Sequence, residues 1–431
     1  ARTPRNHLLA NALAHERRTK RALAVSRSLV IKNAVAQYGF VAARYVIPLL
    51  SLPFLARVLG PDSYGVRAYI LSFMLLVQAF ADFGFNMSGA KEVVETKSEQ
   101  GKRNRLVTAI TLSKLCFLLA LLVVSMVAAS VLDITRDHLV CVLIAYIGIF
   151  FNCLIPDFVF MGFEKMSVVT TRFVVSKGIS LALIILLVKN ADDLMLSIAL
   201  DSLAGLVAFL LAWRKAAKNF GYAPSRVSVR DMTVQIKNAT PYFFATISVS
   251  LFNSLATLLV GIVGTTYEVA CWSLSITALN AVLSLYNPIQ NAVYPHMVHS
   301  RDFGLMKVAL VAGTVCSLAA AILFALLAAP IISILGGDEY TDGAYMIMIL
   351  APVVSMAYPT LMLGAPILGA LGYEKDLAKA SIIAATLYAL LCAGVFVFGI
   401  ASIASLGFCR VSAEFLLLVS RMAYVWLRLR N

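Results

Sequence analysis

Charge is what this sequence has least of: Asp, Glu, Lys and Arg make up 13% of its 431 residues, against roughly 25% in an average soluble domain. So few charges cannot cover an ordinary water-facing surface. Histidine is scarcer still. His7, His15, His138, His296 and His299 have no carboxylate or cysteine at a spacing that would build a catalytic group or a metal site. The seven cysteines (Cys116, Cys141, Cys153, Cys271, Cys316, Cys392 and Cys409) all lie in apolar runs and form no CxxC pair. They read as small buried hydrophobes, with neither a disulfide framework nor a metal site implied. A P-loop is lacking too, so direct use of ATP is not expected. No resident cofactor is expected.

Apolar residues are abundant. They form 61% of the chain, with a mean hydropathy of +0.87. A bilayer absorbs that much apolar material where a soluble core does not. One spanning helix takes about 20 apolar residues, and the runs between charged or Gly/Pro-marked breaks predict twelve spans. Six lie near 34–58, 66–90, 106–132, 139–161, 173–188 and 194–213. Six more lie near 239–263, 269–294, 307–335, 343–370, 380–398 and 405–427. The fold class expected is all-α integral membrane, in two six-helix lobes: 32–213 and 237–427, joined by a basic linker at 214–236 and followed by a short C-terminus at 428–431.

The formal charge of +14 suggests nucleic acid at first sight. Its distribution argues otherwise, because the cations sit in a few loops and in the tail at 1–31. Alternate loops divide Lys and Arg 27 to 2, which places both termini in the cytoplasm and requires an even span number. The tail carries Arg2, Arg5, Arg17, Arg18, Lys20, Arg21 and Arg27 without the apolar stretch of a secretory signal. An amphipathic surface helix and a disordered basic tail both fit it.

Internal matches suggest a parallel repeat. Lys32-Asn33-Ala34 opens the first span and Lys237-Asn238-Ala239 the seventh. Gly60 and Tyr64 close the first much as Gly264 and Tyr267 close the seventh. Gly162-Phe163-Glu164-Lys165 follows the fourth, and Gly372-Tyr373-Glu374-Lys375 follows the tenth. Six spans per half lets both halves enter from the same side. Such symmetry predicts a pseudo-twofold axis along the membrane normal and alternating access by rocking of the lobes.

Ionisable residues inside a span are costly and face a cavity or a partner. Here they are Arg44, Asp82, Lys114, Asp157, Lys177, Asp201, Arg410, Glu414 and Arg421. At 1.5 Å per residue, Arg44 lies roughly 15 Å from the cytoplasmic end of its span, Asp82 and Lys114 roughly 12–14 Å, and Lys177 roughly 8 Å. Arg44, Lys114 and Lys177 are candidate ligands for a phosphate-bearing headgroup, Arg by its planar fork and Lys as a point charge. The plainer alternative pairs Arg44 with Asp82 and lets both lysines snorkel to the interface. Three cations against one acid at similar depth favour an anion in the cytoplasmic half of the first lobe. Asp82, Asp201 and Glu414 are candidates for ion coupling or charge pairing, and Asp201 has no evident partner. Arg410 and Glu414 have the i,i+4 spacing of an intrahelical pair. Asp157, beside Pro156, is expected near the surface. On the eighth span Asn280, Asn287, Pro288, Gln290 and Asn291 suggest either interhelical hydrogen bonding or a hinge and cavity lining.

The first two spans carry a recognisable pattern. Pro48, Ser51, Pro53, Phe54, Arg57, Gly60, Pro61, Tyr64 and Gly65, followed by Asp82-Phe83-Gly84-Phe85-Asn86, resemble the opening of O-antigen flippases. These belong to the polysaccharide transporter family of the multidrug/oligosaccharidyl-lipid/polysaccharide exporter superfamily. The likeness is clear over about residues 32–105 and looser beyond. It implies a six-plus-six bundle in the bacterial inner membrane that is not an enzyme. The implied substrate is undecaprenyl-pyrophosphate-linked oligosaccharide, moved from the cytoplasmic to the periplasmic leaflet. It also implies a cationic lumen, coupling to a H+ or Na+ gradient or to membrane potential, contact with membrane lipids, and glycan polymerase and chain-length partners.

Two other readings stand beside it. A multidrug or cation antiporter of the same superfamily would favour an acidic, aromatic cavity. A membrane-embedded glycan polymerase or ligase would display a large outer loop, whereas the longest here is about seven residues, such as 336–342.

Overall fold

A computed structural model describes residues 4–250, 254–300 and 303–430. It describes the side chains in those ranges except at 4–38, 40–42, 45, 245–246, 248–250, 295, 299–300 and 429. Among the described residues every regular element is helical. The tail's amphipathic face and the Lys32-Asn33-Ala34 match concern side chains outside the described ones.

The first helix, α1 (Pro4–Asp82), is not one rod, because Gly60 interrupts it with φ 70° and ψ 170°. Only glycine adopts that conformation cheaply, and Pro61 then restarts the helix. The two arms double back on each other: Arg44 and Gln78 line one cavity, although a straight helix would set them roughly 51 Å apart. Then follow α2 (Phe85–Glu95), α3 (Gln100–Val131), the single turn α4 (Asp133–Arg136), α5 (Leu139–Cys153), α6 (Asp157–Gly162), α7 (Met166–Leu187) and α8 (Leu194–Phe220). The second half comprises α9 (Val229–Ser250), α10 (Ala256–Val263), α11 (Thr266–Ser284), α12 (Asn287–Ser300), α13 (Phe303–Leu326), α14 (Ala328–Gly336), α15 (Ala344–Met362), α16 (Glu374–Val397) and α17 (Ile403–Arg430). Helix thus extends into both ends of the basic stretch at 214–236, and only residues 221–228 are irregular there.

Ten helical segments among the described residues are long and apolar enough to cross a membrane. Val46–Glu95 counts once among them, yet its 50 residues hold both arms around Gly60. The seventh expected span runs across residues 251–253, outside the described ones. With those two allowances, the ten segments fit the expected twelve helices in a six-plus-six bundle. Only 17% of the apolar window of α13 and 22% of that of α3 is buried, against 56% around Gly60 and in α15. The former therefore present themselves to lipid, and the latter build the centre.

Breaks in the helices fall where the sequence demands them. Phe83 and Gly84 both have positive φ (41° and 74°), splitting the second arm of α1 from α2. A Cβ on Gly84 would come within 2.7 Å of the Phe243 nitrogen, so this glycine serves both a left-handed turn and a close approach to α9. Leu285 and Tyr286 interrupt α11 and α12 just ahead of Pro288, which has no N–H for the helix ladder and is best placed in the first turn of a new helix. The expected repeat is offset in detail. Lys165 N donates to Phe160 O and Tyr373 N to Leu368 O, both at 2.8 Å, so Lys165 corresponds to Tyr373 and not to Lys375. Gly264 is extended (φ −114°) where Gly60 is left-handed.

The two halves meet at both ends of the bundle. At the Gly60 end, Arg57 Nη2 donates to Ile334 O (2.7 Å), Tyr340 OH to Ala56 O (2.8 Å) and Thr266 Oγ1 to Asp62 Oδ1 (2.6 Å). At the Gly84 end, Gln235 Nε2 and Asn238 Nδ2 each donate to Glu92 at 3.0 Å, while Phe83 stacks on Phe243 with centroids 4.5 Å apart.

Candidate functional site

Between these closures lies a cavity of about 660 Å³. Helical periodicity builds its walls. Arg44, Pro48, Ser51 and Leu55 form a stripe on the first arm of α1, and Arg67, Leu71, Leu75 and Gln78 one on the second. Phe173, Lys177, Ser180 and Ile184 form the stripe of α7, and Ser254, Thr257, Ser273, Thr277 and Asn280 supply a polar wall from the other half.

The charged members are Arg44, Arg67, Lys177 and Asp201. Asp201 Oδ2 accepts a short hydrogen bond from Arg67 Nη2. Asp201 Oδ1 accepts from Lys177 Nζ (3.1 Å) and from Ser180 Oγ (3.4 Å). One carboxylate is therefore shared by two cations, and Arg44 is exposed to the cavity as a third. The surplus is two positive charges. Arg67 Nε is buried without a hydrogen-bond partner, a donor that a buried acceptor would satisfy.

Several expectations change here. Asp201, which lacked a partner in the sequence, has three. Arg67, which is not among the in-span ionisable residues taken from the sequence, is a central member of the site. The signal was available: seven residues past Gly60 is roughly 10 Å of helix, too deep for a terminal position. Lys177 stands eleven residues into α7, roughly 16 Å up and not 8 Å. The positive surplus is thus not confined to one end of the first half.

Lys114 is not part of this cavity. Its side chain is 2% exposed and its Nζ donates to Asp82 Oδ1 (2.9 Å), Asn86 Oδ1 (3.4 Å) and Cys153 O (2.9 Å). All three ammonium protons have acceptors, and none remains for a headgroup. Asp82 pairs with Lys114 rather than with Arg44, so the Asp82-Phe83-Gly84 sequence combines an ion pair with a helix break. Asp157 does not simply reach the surface: it accepts from Arg172 Nη2 at 2.8 and 2.9 Å.

A second cavity of about 290 Å³ lies in the other half, between α11, α12, α15 and α17. Asn280 lines both cavities. Glu414 lines the second and accepts from Arg410 Nη1 at 3.1 Å, the i,i+4 pair expected from the sequence. Arg421 Nη1 donates to Thr360 O (2.6 Å), one turn before the non-helical Gly364, where ψ is −112°. Asn287 also lines it, whereas Pro288 and Asn291 are exposed and Gln290 is half-buried. No group of three potential metal ligands occurs among the described residues.

Comparisons with known proteins place this geometry in context. The model of a family described as "Polysaccharide biosynthesis protein" matches residues 30–301. A "Putative O-antigen transporter" of Escherichia coli (strain K12) is 24% identical over 85% of this chain and 88% of its own length. Among solved structures, "Lipid II flippase MurJ, inward closed conformation" superposes with a TM-score of 0.73 at 13% identity, covering 92% of this chain and 87% of that one. An inward-facing multidrug resistance MATE family transporter of the MOP superfamily gives 0.63 at 12% identity, over 90% and 98%.

Proposed function

The chain belongs to the polysaccharide biosynthesis protein family, and on that premise we propose that it is a flippase for undecaprenyl-pyrophosphate-linked oligosaccharide. It is a multi-pass membrane transporter and not an enzyme, as its curated relatives are transporters. In this reading it sits in the bacterial inner membrane with both termini cytoplasmic, and the glycolipid moves from the cytoplasmic to the periplasmic leaflet. The lobes, 32–213 and 237–427, rock against each other to open the cavity alternately to either side.

The observation that carries the proposal is the twofold positive surplus at Arg44, Arg67 and Lys177 against Asp201. In a low-dielectric cavity that surplus needs an anion. A pyrophosphate supplies two adjacent charges and acceptors suited to a guanidinium fork. The same sign disfavours an organic-cation extruder. Arriving headgroup oxygens compete with Asp201 for Arg67 and Lys177, which frees the carboxylate to take up a proton or sodium ion. Asp201 is thereby the point at which substrate binding and uptake of a coupling ion are linked, each favouring the other, with membrane potential acting on the same charges. Partners follow from the product: glycan polymerase and chain-length proteins that receive it on the outer leaflet.

The test is leaflet transfer of a lipid-pyrophosphate oligosaccharide in proteoliposomes. The variants Arg44→Ala and Lys177→Ala, inserted at wild-type levels, are expected to slow transfer about tenfold or more. Undiminished rates in both would overturn the headgroup assignment.

A further inference from the structure

The second cavity is built of different chemistry from the first. Its polar lining comes from Asn280, Ser284, Asn287, Thr360, Glu414 and Arg421. The only carboxylate among them is neutralised by Arg410, both side chains being about one-tenth exposed. That leaves no net negative charge for a cation to seek. What remains is a set of neutral amides and hydroxyls with one guanidinium, whose Nε is buried without a partner.

Tyr286 also lines the cavity. Its hydroxyl donates to Val354 O (3.1 Å) and its ring lies edge-on to Tyr358 at 5.4 Å, so the ring is fixed as a wall and is not free to swing. A fixed aromatic face beside amide and hydroxyl groups matches the two surfaces of a pyranose, an apolar C–H face and a rim of hydroxyls. At about 290 Å³ the cavity is at the small end of the ~300–1,000 Å³ usual for ligand sites, which suits one sugar and not a chain of them.

We propose that this cavity is a carbohydrate subsite that holds the lipid-proximal sugar of the substrate while the pyrophosphate occupies the cationic cavity. Asn280, which lines both, stands where the sugar joins the phosphate. Arg421 and the amides of Asn280 and Asn287 donate to sugar oxygens, and Glu414 and Thr360 accept from sugar hydroxyls. The inference rests on the flippase reading for the headgroup and adds to it a place where glycans are told apart.

The experiment measures binding of four probes to the full chain in nanodiscs: undecaprenyl pyrophosphate alone, and the same lipid bearing one glucose, galactose or N-acetylglucosamine. Wild type is expected to bind at least one glycosylated probe about tenfold more tightly than the bare lipid, as one or two added net hydrogen bonds would give. Asn287→Ala and Arg421→Lys are expected to abolish that gain without weakening the bare lipid, whereas Arg67→Ala weakens all four. Arg421 also holds the Thr360 carbonyl, so Asn287→Ala, on a half-buried position, carries the result if Arg421→Lys misfolds. No sugar-dependent gain in wild type, or a gain untouched in Asn287→Ala, overturns the subsite and leaves the flippase reading standing. Failure of wild type to bind any probe sinks the headgroup reading instead.

Discussion

The two halves of the molecule hold their arginines in opposite circumstances. In the first half, Arg67 shares one carboxylate with Lys177 while Arg44 lines the same cavity, so positive charge is in excess. In the second, Arg410 faces its own carboxylate and Arg421 rests on a main-chain carbonyl. A related six-helix plan therefore leaves two cations unmatched on one side and a single guanidinium, held by a main-chain carbonyl, on the other. Burial alone does not make a side chain available to a ligand; an unmatched charge on a cavity wall does. Lys114 makes the point, being the most buried of the cations among the described residues and also completely satisfied.

The largest expected effect separates structural from receiving charges. Lys114→Met leaves Asp82 uncompensated beside the core and is expected to cost about 3–5 kcal/mol of stability, read as a lowered unfolding temperature in detergent. Arg44→Ala, on an exposed position, should stay within about 0.5 kcal/mol of wild type yet lose transfer. If the two variants behaved alike, the division between them would collapse.

Next in size is the shared carboxylate. Asp201→Asn removes the internal competitor for Arg67 and Lys177. It is expected to bind undecaprenyl pyrophosphate about tenfold more tightly, some 1.4 kcal/mol, and to release it more slowly. Titration calorimetry reads the first and single-turnover transfer the second. Weaker binding would mean that Asp201 positions the cations rather than competing with the substrate.

The smallest effect belongs outside both cavities. Arg105 donates twice to Asp231 Oδ2, at 2.8 and 3.0 Å, tying the start of α9 to α3. Hydrogen bonds from the Ser228 backbone and from Arg105 lower the Asp231 pKa from 3.8 to about 2. Its contribution is therefore complete above about pH 4 and fades only as pH falls through about 2. Thermal stability of Asp231→Asn should differ from wild type by the same small amount at every point between pH 5 and 8. A difference that changed across that window would point to titration elsewhere.

Much of this was legible in the sequence, for identifiable reasons. Apolar run length predicted the membrane bundle, because a bilayer admits little else. The Arg410–Glu414 pair was legible because both partners lie on one helix at a fixed spacing. The interhelical partners were not. Asp201 meets Arg67 and Lys177 from two other helices, and only rotation and depth decide such contacts. The depth of Lys177 was underestimated because α7 starts at Met166, seven residues ahead of the apolar run. Gly162 and Gly372 misaligned the repeat by two residues, since the left-handed position is Glu164 in one half and Gly372 in the other.

The central claim is that the cavity between the halves receives an anion. Its most direct test is transfer by wild-type proteoliposomes of two glycolipids with the same sugar and the same polyprenyl chain, one linked through pyrophosphate and one through a neutral glycosidic bond. The charge surplus at Arg44, Arg67 and Lys177 predicts transfer of the pyrophosphate lipid at least about tenfold faster, with the advantage lost in Arg67→Ala. Equal transfer of both lipids would contradict the account.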